Sequence, residues 1–503
     1  MSGIFSSLSN ASSALQTHGK MVELTGKNIS NLNNPAYARQ RARVGTIGGS
    51  SSGSGIQSGA LVTTAVEQVR NAYVDKQILN EISYTSSLET QDVRLRQLLS
   101  ALGESVDRVN DPAFISDGVD QDGSLRSSID SFFNAFEAFS ARPSDPSTKQ
   151  VLFQSAQSLV ENFNRMDQQL NTLEKSLDSE ITGEVTGLNQ KLEEIAELNR
   201  QIARVETSGS PGSANDLRDQ RQEKLEAISE ILLIDVAEVP GSHGQVSVTV
   251  RSPDGDPVNL VTIGSESFDI TWDADNAVFK SVNTGAEIDL QAGRLRGLVE
   301  VKTETLANTR EEIDSLANAL ATEVNEIYYQ AFVPAGVDPA VPEISFFAQP
   351  TPPPSVSGIP STVTAGSLAL YQGSSDPAVT DSVPLTAMNL RASSSEMAGA
   401  NELANAIAGL GLQDLASLGG MSFTEHAIST VVSLGQEIQN IGNRLDVQKN
   451  VEALLTEQRA QISGVSLDEE VANMVQFQRA FQASSRVFNV LSEMLETIVT
   501  GLR

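Results

Sequence analysis

The chain has no cysteine among its 503 residues. That absence excludes disulfides, thiolate metal sites and cysteine nucleophiles together. It also suits a chain that passes between redox compartments unfolded. Histidine occurs only at positions 18, 243 and 426, in three different segments, so the usual general base and metal ligand is nearly missing. Aromatic residues make up 5% of the chain, with one tryptophan, as expected of long helical surfaces. Positive charge is scarce: 34 Lys and Arg stand against 64 Asp and Glu, a net charge of −30. That balance argues against nucleic acid and anionic membrane surfaces, which both need a basic face. No run is long and apolar enough to span a bilayer, so no membrane insertion is expected. The first residues lack a basic n-region, a continuous apolar core and a small-residue cleavage site. No cleaved secretory leader is therefore expected, and any export uses another route.

The acids do not build a site either. Asp117, Asp120 and Asp122 beside Gly123 approach a calcium loop, but the glycine comes too early and no glutamate closes it. A solvated acidic turn accounts for them, and for Asp254 and Asp256. No phosphate-cradling glycine loop, nucleophile elbow or zinc motif occurs. No catalytic residue, metal ligand or cofactor is expected, and the chain reads as a structural protein rather than an enzyme.

What is present is an apolar stripe at each end. Ile4, Leu8, Ala11, Leu15, His18, Val22, Thr25, Ile29 and Leu32 follow alternating steps of four and three. Leu467, Val471, Met474, Phe481, Phe488, Leu491, Leu495 and Ile498 mark a second narrow stripe. Such a stripe is the seam of a helix packed on another helix. A chain with a seam at each end can join its ends as a coiled coil and hang its middle from that stalk. The outer face of the first helix is mostly Ser, Asn, Thr and Gln, which are weak helix formers. Ordering it costs more entropy than its few apolar residues return. This end is expected to be disordered in a free monomer and to order when neighbouring chains cover it.

Between the ends, Pro35 stops the first helix, giving an N-terminal helical segment at 1–44. A Gly/Ser-rich linker follows at 45–59. Helix is expected again from Ala65 to about Leu102, with Val66, Val69, Tyr73, Ile78, Ile82, Leu88, Val93, Leu95 and Leu98 facing inward. Loop signals fill 103–123. A short helix carries Ile129, Phe132, Phe133, Phe136 and Phe139. A long one, from Pro146 to about Val205, sustains a seam from Leu159 to Ile202. Asn215 is read as the N-cap of the next helix. The period changes to two over 235–291, where Val246, Val248 and Val250, then Phe268, Ile270 and Trp272, alternate with polar residues. Helix returns from Gly293 to about Tyr329, so 60–332 reads as a helical body with a β section. The Pro/Ser-rich stretch 333–395 reads as an insertion, and 396–464 returns to helix. Ser466 to Glu469 forms a capping box that opens the last helix, 465–503. Asp468, Glu469 and Glu470 suit that helix's N-terminal dipole. The fold class expected is mainly α with a small β section, a long-helix body and a terminal antiparallel coiled coil.

Two end motifs carry a resemblance. Asn28-Ile-Ser-Asn-Leu-Asn-Asn-Pro-Ala-Tyr-Ala-Arg-Gln resembles the N-terminal signature of bacterial flagellar rod, hook and hook-associated proteins, with Ala36 where that family usually has Gly. The stretch Leu467-Asp-Glu-Glu-Val-Ala-Asn-Met-Val-Gln-Phe-Gln-Arg-Ala-Phe-Gln-Ala-Ser-Ser-Arg-Val resembles its matching terminal helix. Asn215-Asp-Leu-Arg-Asp-Gln-Arg-Gln-Glu-Lys-Leu and Gly293-Arg-Leu-Arg-Gly-Leu-Val-Glu-Val resemble helix starts of the hook–filament junction group within it. The resemblance covers roughly 1–45, 60–330 and 395–503. It implies an extracellular structural subunit, exported through the flagellar type III apparatus and assembled as a ring of identical copies. The ring would join the flexible hook to the filament. The implied partners are the hook protein, a second junction protein (hook-associated protein 3) on the filament side, and an export chaperone at the C-terminus. Met474, Phe477, Phe481, Phe488 and Leu491 would contact that chaperone. Segment 333–395 would be a reduced outer domain. The alternative is another axial subunit, a hook or rod protein. An enzyme carried by the structure, such as a wall hydrolase, would need a buried acid pair, and the sequence offers none.

Overall fold

The structure is a computed structural model. It describes residues 2–47, 51–52, 55–56, 60–103, 124–208, 213–264, 266–329, 345–348, 362–372, 384–394, 397 and 399–501. The fold is mainly α with small antiparallel sheets. In chain order the helices are α1 Ser2–Ser30, α2 Ala72–Ala101, α3 Leu125–Ala141, α4 Pro146–Ser208 and α5 Asn215–Ser229. They continue with α6 Arg294–Glu300, α7 Ala307–Tyr329, α8 Glu402–Leu410, α9 Phe423–Ser463 and α10 Leu467–Gly501. A π-helical stretch, Val301–Leu306, joins α6 to α7 without a break. The strands are β1 Gln40–Ile47, β2 Ser51–Ser52, β3 Gly55–Ile56, β4 Ala60–Gln68, β5 Asp235–Glu238, β6 Val246–Arg251, β7 Pro257–Val261, β8 Ile270–Asp273, β9 Val278–Ser281 and β10 Glu287–Ile288.

The chain divides into two compact units, and the division cuts across the segments read from sequence. The first comprises Met1–Ser87, Thr182–Arg296 and Leu445–Arg503, and the second Leu88–Ile181 and Gly297–Arg444.

In the first unit, β1 and β4 form an antiparallel hairpin with a bulge at Arg43/Val44. This corrects two expectations. Residues 45–47, 51–52 and 55–56 of the expected linker are strand, and positions 48–50, 53–54 and 57–59 lie outside the described residues. The expected helix from Ala65 begins at Ala72, because the β-branched run Val62, Thr63, Thr64 and Val66 favours a strand once β1 supplies a partner. On α2, whose residues from Leu88 belong to the second unit, Ile78, Leu88, Leu95 and Leu98 are buried, but Tyr73 and Val93 are exposed. The alternating valines of β6 are buried, and strands order as β5-β6-β7 and β10-β9-β8. Helix α4 ties both sheets through asparagines. Asn199 Nδ2 donates to Val246 O at 2.8 Å, and Asn189 pairs with both backbone groups of Ile270 at 2.9 Å. Each pair satisfies strand backbone that would otherwise be buried without a partner. Gly293 adopts φ 97°, and a Cβ there would lie 2.4 Å from Ile231 O, so the entry into α6 accepts only glycine.

In the second unit the phenylalanines of α3 form the core. Phe132, Phe136 and Phe139 are fully buried, and Phe132 packs edge-on against Phe346 with centroids 5.7 Å apart. Phe346 and Phe347 belong to the stretch read as an insertion. The backbone N–H of each donates to Asn325 Oδ1 at 2.9 Å. The described parts of 333–395 also bury Val363, Leu368, Leu370, Leu385 and Leu390. They therefore complete this core rather than form an outer appendage. The Asp117–Gly123 turn lies outside the described residues.

Candidate assembly site at the joined chain ends

Helices α1 and α10 pack on one another within the first unit. A Cβ added at Gly19 would lie 3.5 Å from Phe481, and one at Gly26 would lie 3.8 Å from Met474. Going up α1 from Gly19 to Gly26 matches going down α10 from Phe481 to Met474, so the pair is antiparallel. The two glycines thus leave room for Phe481 and Met474.

The expected seam residues are only half covered. Leu8, Leu15, Val22 and Ile29 on α1, and Met474, Phe477, Phe488, Leu491, Leu495 and Ile498 on α10, are of intermediate exposure. Leu467 and Val471 are exposed, Phe481 is 38% exposed, and Leu32 lies outside the seam. Ile4 falls within α1, whose first side chains are not described. The best-buried α1 positions are Ala11 and Thr25 of the expected stripe, with Thr17, Leu24 and Asn28 beside it. Helix α1 also lies on the β1–β4 hairpin, and Thr17 Oγ1 donates to Leu61 O at 3.1 Å.

A buried polar node closes the site. Asn28 Nδ2 donates to Gln40 O and to Glu470 Oε2, both at 3.0 Å. Its Oδ1 accepts from Tyr37 OH at 2.8 Å and from Gln40 N at 3.0 Å. The amide thus uses its full hydrogen-bonding capacity. Arg39 Nε donates to Glu470 Oε1 at 2.7 Å, Arg39 Nη1 donates to Glu469 Oε2 at 2.7 Å, and Arg39 N donates to Ser463 O at 2.9 Å. Asp219 Oδ1 accepts from Ala38 N at 3.2 Å, Gln68 Nε2 at 2.9 Å and Arg70 Nη2 at 2.8 Å. Arg70 also donates to Ala36 O at 2.7 Å, and Lys27 pairs with Asp216. Ala36 is buried and does not adopt a positive φ, so the turn here does not require glycine.

The charges of the node follow from burial. Desolvation, assisted by Asp219, Asp216 and Glu470, pushes the Tyr37 phenol well above its usual range. Burial pushes the Asp219 carboxyl up to about 6 against the opposing pull of Arg70, and its buried Oδ2 has no donor among the described residues. Burial also raises Asp75, again opposed by Arg70. For Arg39, burial works against the charge, but the hydrogen bonds it donates to Glu469 and Glu470 overcome it and raise its pKa. Every member is a donor or acceptor in a fixed bond, which suits holding ends together rather than moving protons.

Two local readings are corrected here. Asn215 does not cap α5; its Nδ2 donates to Val66 O at 3.1 Å instead. Glu469 and Glu470 do more than suit a helix dipole. Ser466 Oγ accepts from Glu469 N at 3.5 Å, but the Glu469 carboxylate is taken by Arg39, so the capping box is half made. The node residues were missed as site residues, although Asn28, Tyr37, Arg39, Asp219 and Glu470 all stand within the quoted motifs. The signal was that three motifs far apart in sequence were polar where a helix or turn did not need it. Of the three histidines, His18 lies in α1 and His243 adopts a left-handed φ of 54°. His426 Nε2 lies 3.0 Å from Glu312 Oε2, and burial lowers its pKa against that pairing.

Residues 118–338 match the "Flagellar hook-associated protein FlgK helical domain" family, and 457–501 match "Flagellar basal body rod FlgEFG protein C-terminal". The chain is 24% identical over 545 aligned positions to Flagellar hook-associated protein 1 of Bacillus subtilis, covering 100% of this chain and 99% of that one. It is 23% identical to the protein of the same name from Escherichia coli, covering 98% and 99%. Over its whole length the chain is similar to flagellar hook-associated protein 1. A solved structure described as the flagellar hook junction protein FlgK from Burkholderia pseudomallei shares the fold. It has a TM-score of 0.57 and 17% identity, and the match covers 77% of this chain and 100% of that one. In this chain, the joined ends are where the two flanking motifs meet.

Proposed function

We propose that this chain is a structural adaptor subunit that joins the flexible flagellar hook to the filament. The observation that carries this is the α1–α10 pair together with full-length similarity to hook-associated protein 1. The node fixes the pair, yet Val471, Val475, Val487, Val490, Met494 and Val499 of α10 stay exposed. An apolar helix face left open at this length is a surface awaiting neighbours. Identical copies in a ring would cover it, with the terminal helices lining the inner tube.

The finer reading follows from that role. The hook must bend and the filament must keep its shape, so an adaptor needs two different faces and no chemistry. The hook protein would bind one side and hook-associated protein 3 the other. Export through the flagellar type III apparatus would place the chain outside the cell, with a chaperone covering the C-terminal helix beforehand. The deciding experiment is a deletion strain. It is expected to build hooks and to shed filament protein into the medium; filaments retained on hooks would overturn the reading.

A further inference from the structure

We propose that the first unit carries an oxyanion-binding site, built around Arg221, Arg218 and Lys76 beside the β4–α2 connection. A cleft of about 750 Å³ lies there, and its lining includes Arg43, Arg70, Lys76, Arg218 and Arg221. Four of these five cations pair with carboxylates: Arg43 with Glu67, Arg70 with Asp219 and Asp75, Lys76 with Asp235 and Arg218 with Glu206. The lining acids are mostly spoken for. Arg43 holds Glu67 at 3.0 Å, and Arg70 lies 3.4 Å from Asp75. Glu238 is exposed.

Arg221 is the residue that needs explaining. It is 6% exposed, yet among the described residues no carboxylate lies within 4.0 Å of it. Its Nη1 donates to two neutral acceptors, Asn199 Oδ1 at 2.9 Å and Gly244 O at 2.7 Å. A guanidinium has five donors, and a buried charge without a counterion is costly. The cost is visible in its pKa, which burial, then Arg218 and Arg70, lowers to about 10 against the partial pull of Glu238. Gly244 brings the two arginines together. It has φ 79°, its carbonyl accepts from Arg221, and a Cβ there would lie 2.5 Å from Arg218 Nη2. Arg218 also lies 3.4 Å from Glu206 and Lys76 lies 2.6 Å from Asp235. Among the described residues, Arg221 is thus the one cation of the lining without a carboxylate partner. Its remaining donors, with the donors that Arg218 and Lys76 keep beyond those pairs, match a planar or tetrahedral oxyanion. That oxyanion is either a free phosphate-like ion or the carboxylate of a second copy of this chain.

The test is calorimetric titration of the full-length monomer with inorganic phosphate, against chloride at equal ionic strength. Sedimentation velocity is run on the same samples. Saturable phosphate binding is expected. It should weaken at least about tenfold in Arg221→Gln, the loss typical of one charge-assisted donor pair. Arg218→Gln and Lys76→Gln, at less buried positions, should weaken it too and guard against a folding failure of the first variant. If phosphate also suppresses self-association, the natural occupant is the carboxylate of a second copy. If sedimentation is unchanged, it is a free oxyanion. No saturable binding beyond chloride, or binding unaltered in all three variants, would overturn the site.

Discussion

Asn28 Nδ2 donates to Glu470 Oε2 at 3.0 Å, joining residues separated by 442 positions in one buried hydrogen bond. The bond sets the register of α1 on α10, because each partner is also fixed on its own side. Asn28 is held by Gln40 and Tyr37, and Glu470 by Arg39. A polar contact that is fully satisfied, and unsatisfiable one turn away, specifies a single alignment where a half-covered apolar seam would tolerate several.

Removing that contact should loosen the whole terminal pair. Glu470→Ala leaves the Asn28 amide and the Arg39 guanidinium short of an acceptor, at a cost of about 3 kcal/mol. Hydrogen exchange across Leu467–Gly501 should accelerate while the helices of the second unit keep their protection. Unchanged exchange in α10 would show that the seam alone holds it.

Acid should favour the node through Asp219. Its folded pKa of about 6 lies above its ordinary 3.8, so the folded state binds the extra proton between those values. That stabilisation is present at low pH and is lost as pH rises through about 6. Relative to Asp219→Asn, the natural protein should gain on the order of 2 kcal/mol between pH 7 and pH 4.5. Urea denaturation of both at the two pH values checks this, and parallel changes would refute it.

The glycines of α1 offer a gain. At Gly19 and Gly26 a Cβ would make only ordinary contact with Phe481 and Met474. Gly19→Ala and Gly26→Ala should each stabilise the helix by about 0.5–1 kcal/mol. Gly19→Leu should instead push Phe481 out and speed proteolysis at Arg479 and Arg486. The reverse order of protease sensitivity would contradict the antiparallel register.

Charge in the seam should stop assembly without unfolding the body. Leu15→Asp or Leu491→Asp places a carboxylate where the copies are proposed to close around each other, at a cost of roughly several kcal/mol. Both variants should fail to join the hook tip, seen by microscopy and a swimming assay, while the main melting transition stays in place. Normal motility in both would remove the coiled-coil assembly reading.

The apolar seam of α10, before α1 covers it, should also be the chaperone's target before export. Phe481→Ala combined with Phe488→Ala should weaken binding by about 2–4 kcal/mol, as truncated aromatic anchors do. Calorimetry with the full chain, and with a chain lacking 465–503, separates this end from the N-terminus. Binding retained after that deletion but lost on removing 1–45 would reverse the assignment.

Periodicity alone determined much of this molecule. The stripes of α1 and α10, the phenylalanine face of α3, the long seam of α4 and the alternating valines of β6 are legible because repeats of 3.6 and 2 are local properties of the chain. The tertiary structure decided where polar partners lie. Val62 to Val66 became strand because β1 was available to pair. Asn215 left its cap for Val66 O, and Glu470 turned from a helix-end charge into the counterion of Arg39. Phe346 and Phe347 joined the core from a stretch whose prolines and serines suggested an insertion. Hydrophobic spacing says which face is inward, but a donor finds its acceptor only after distant segments meet, and no sequence period records that choice.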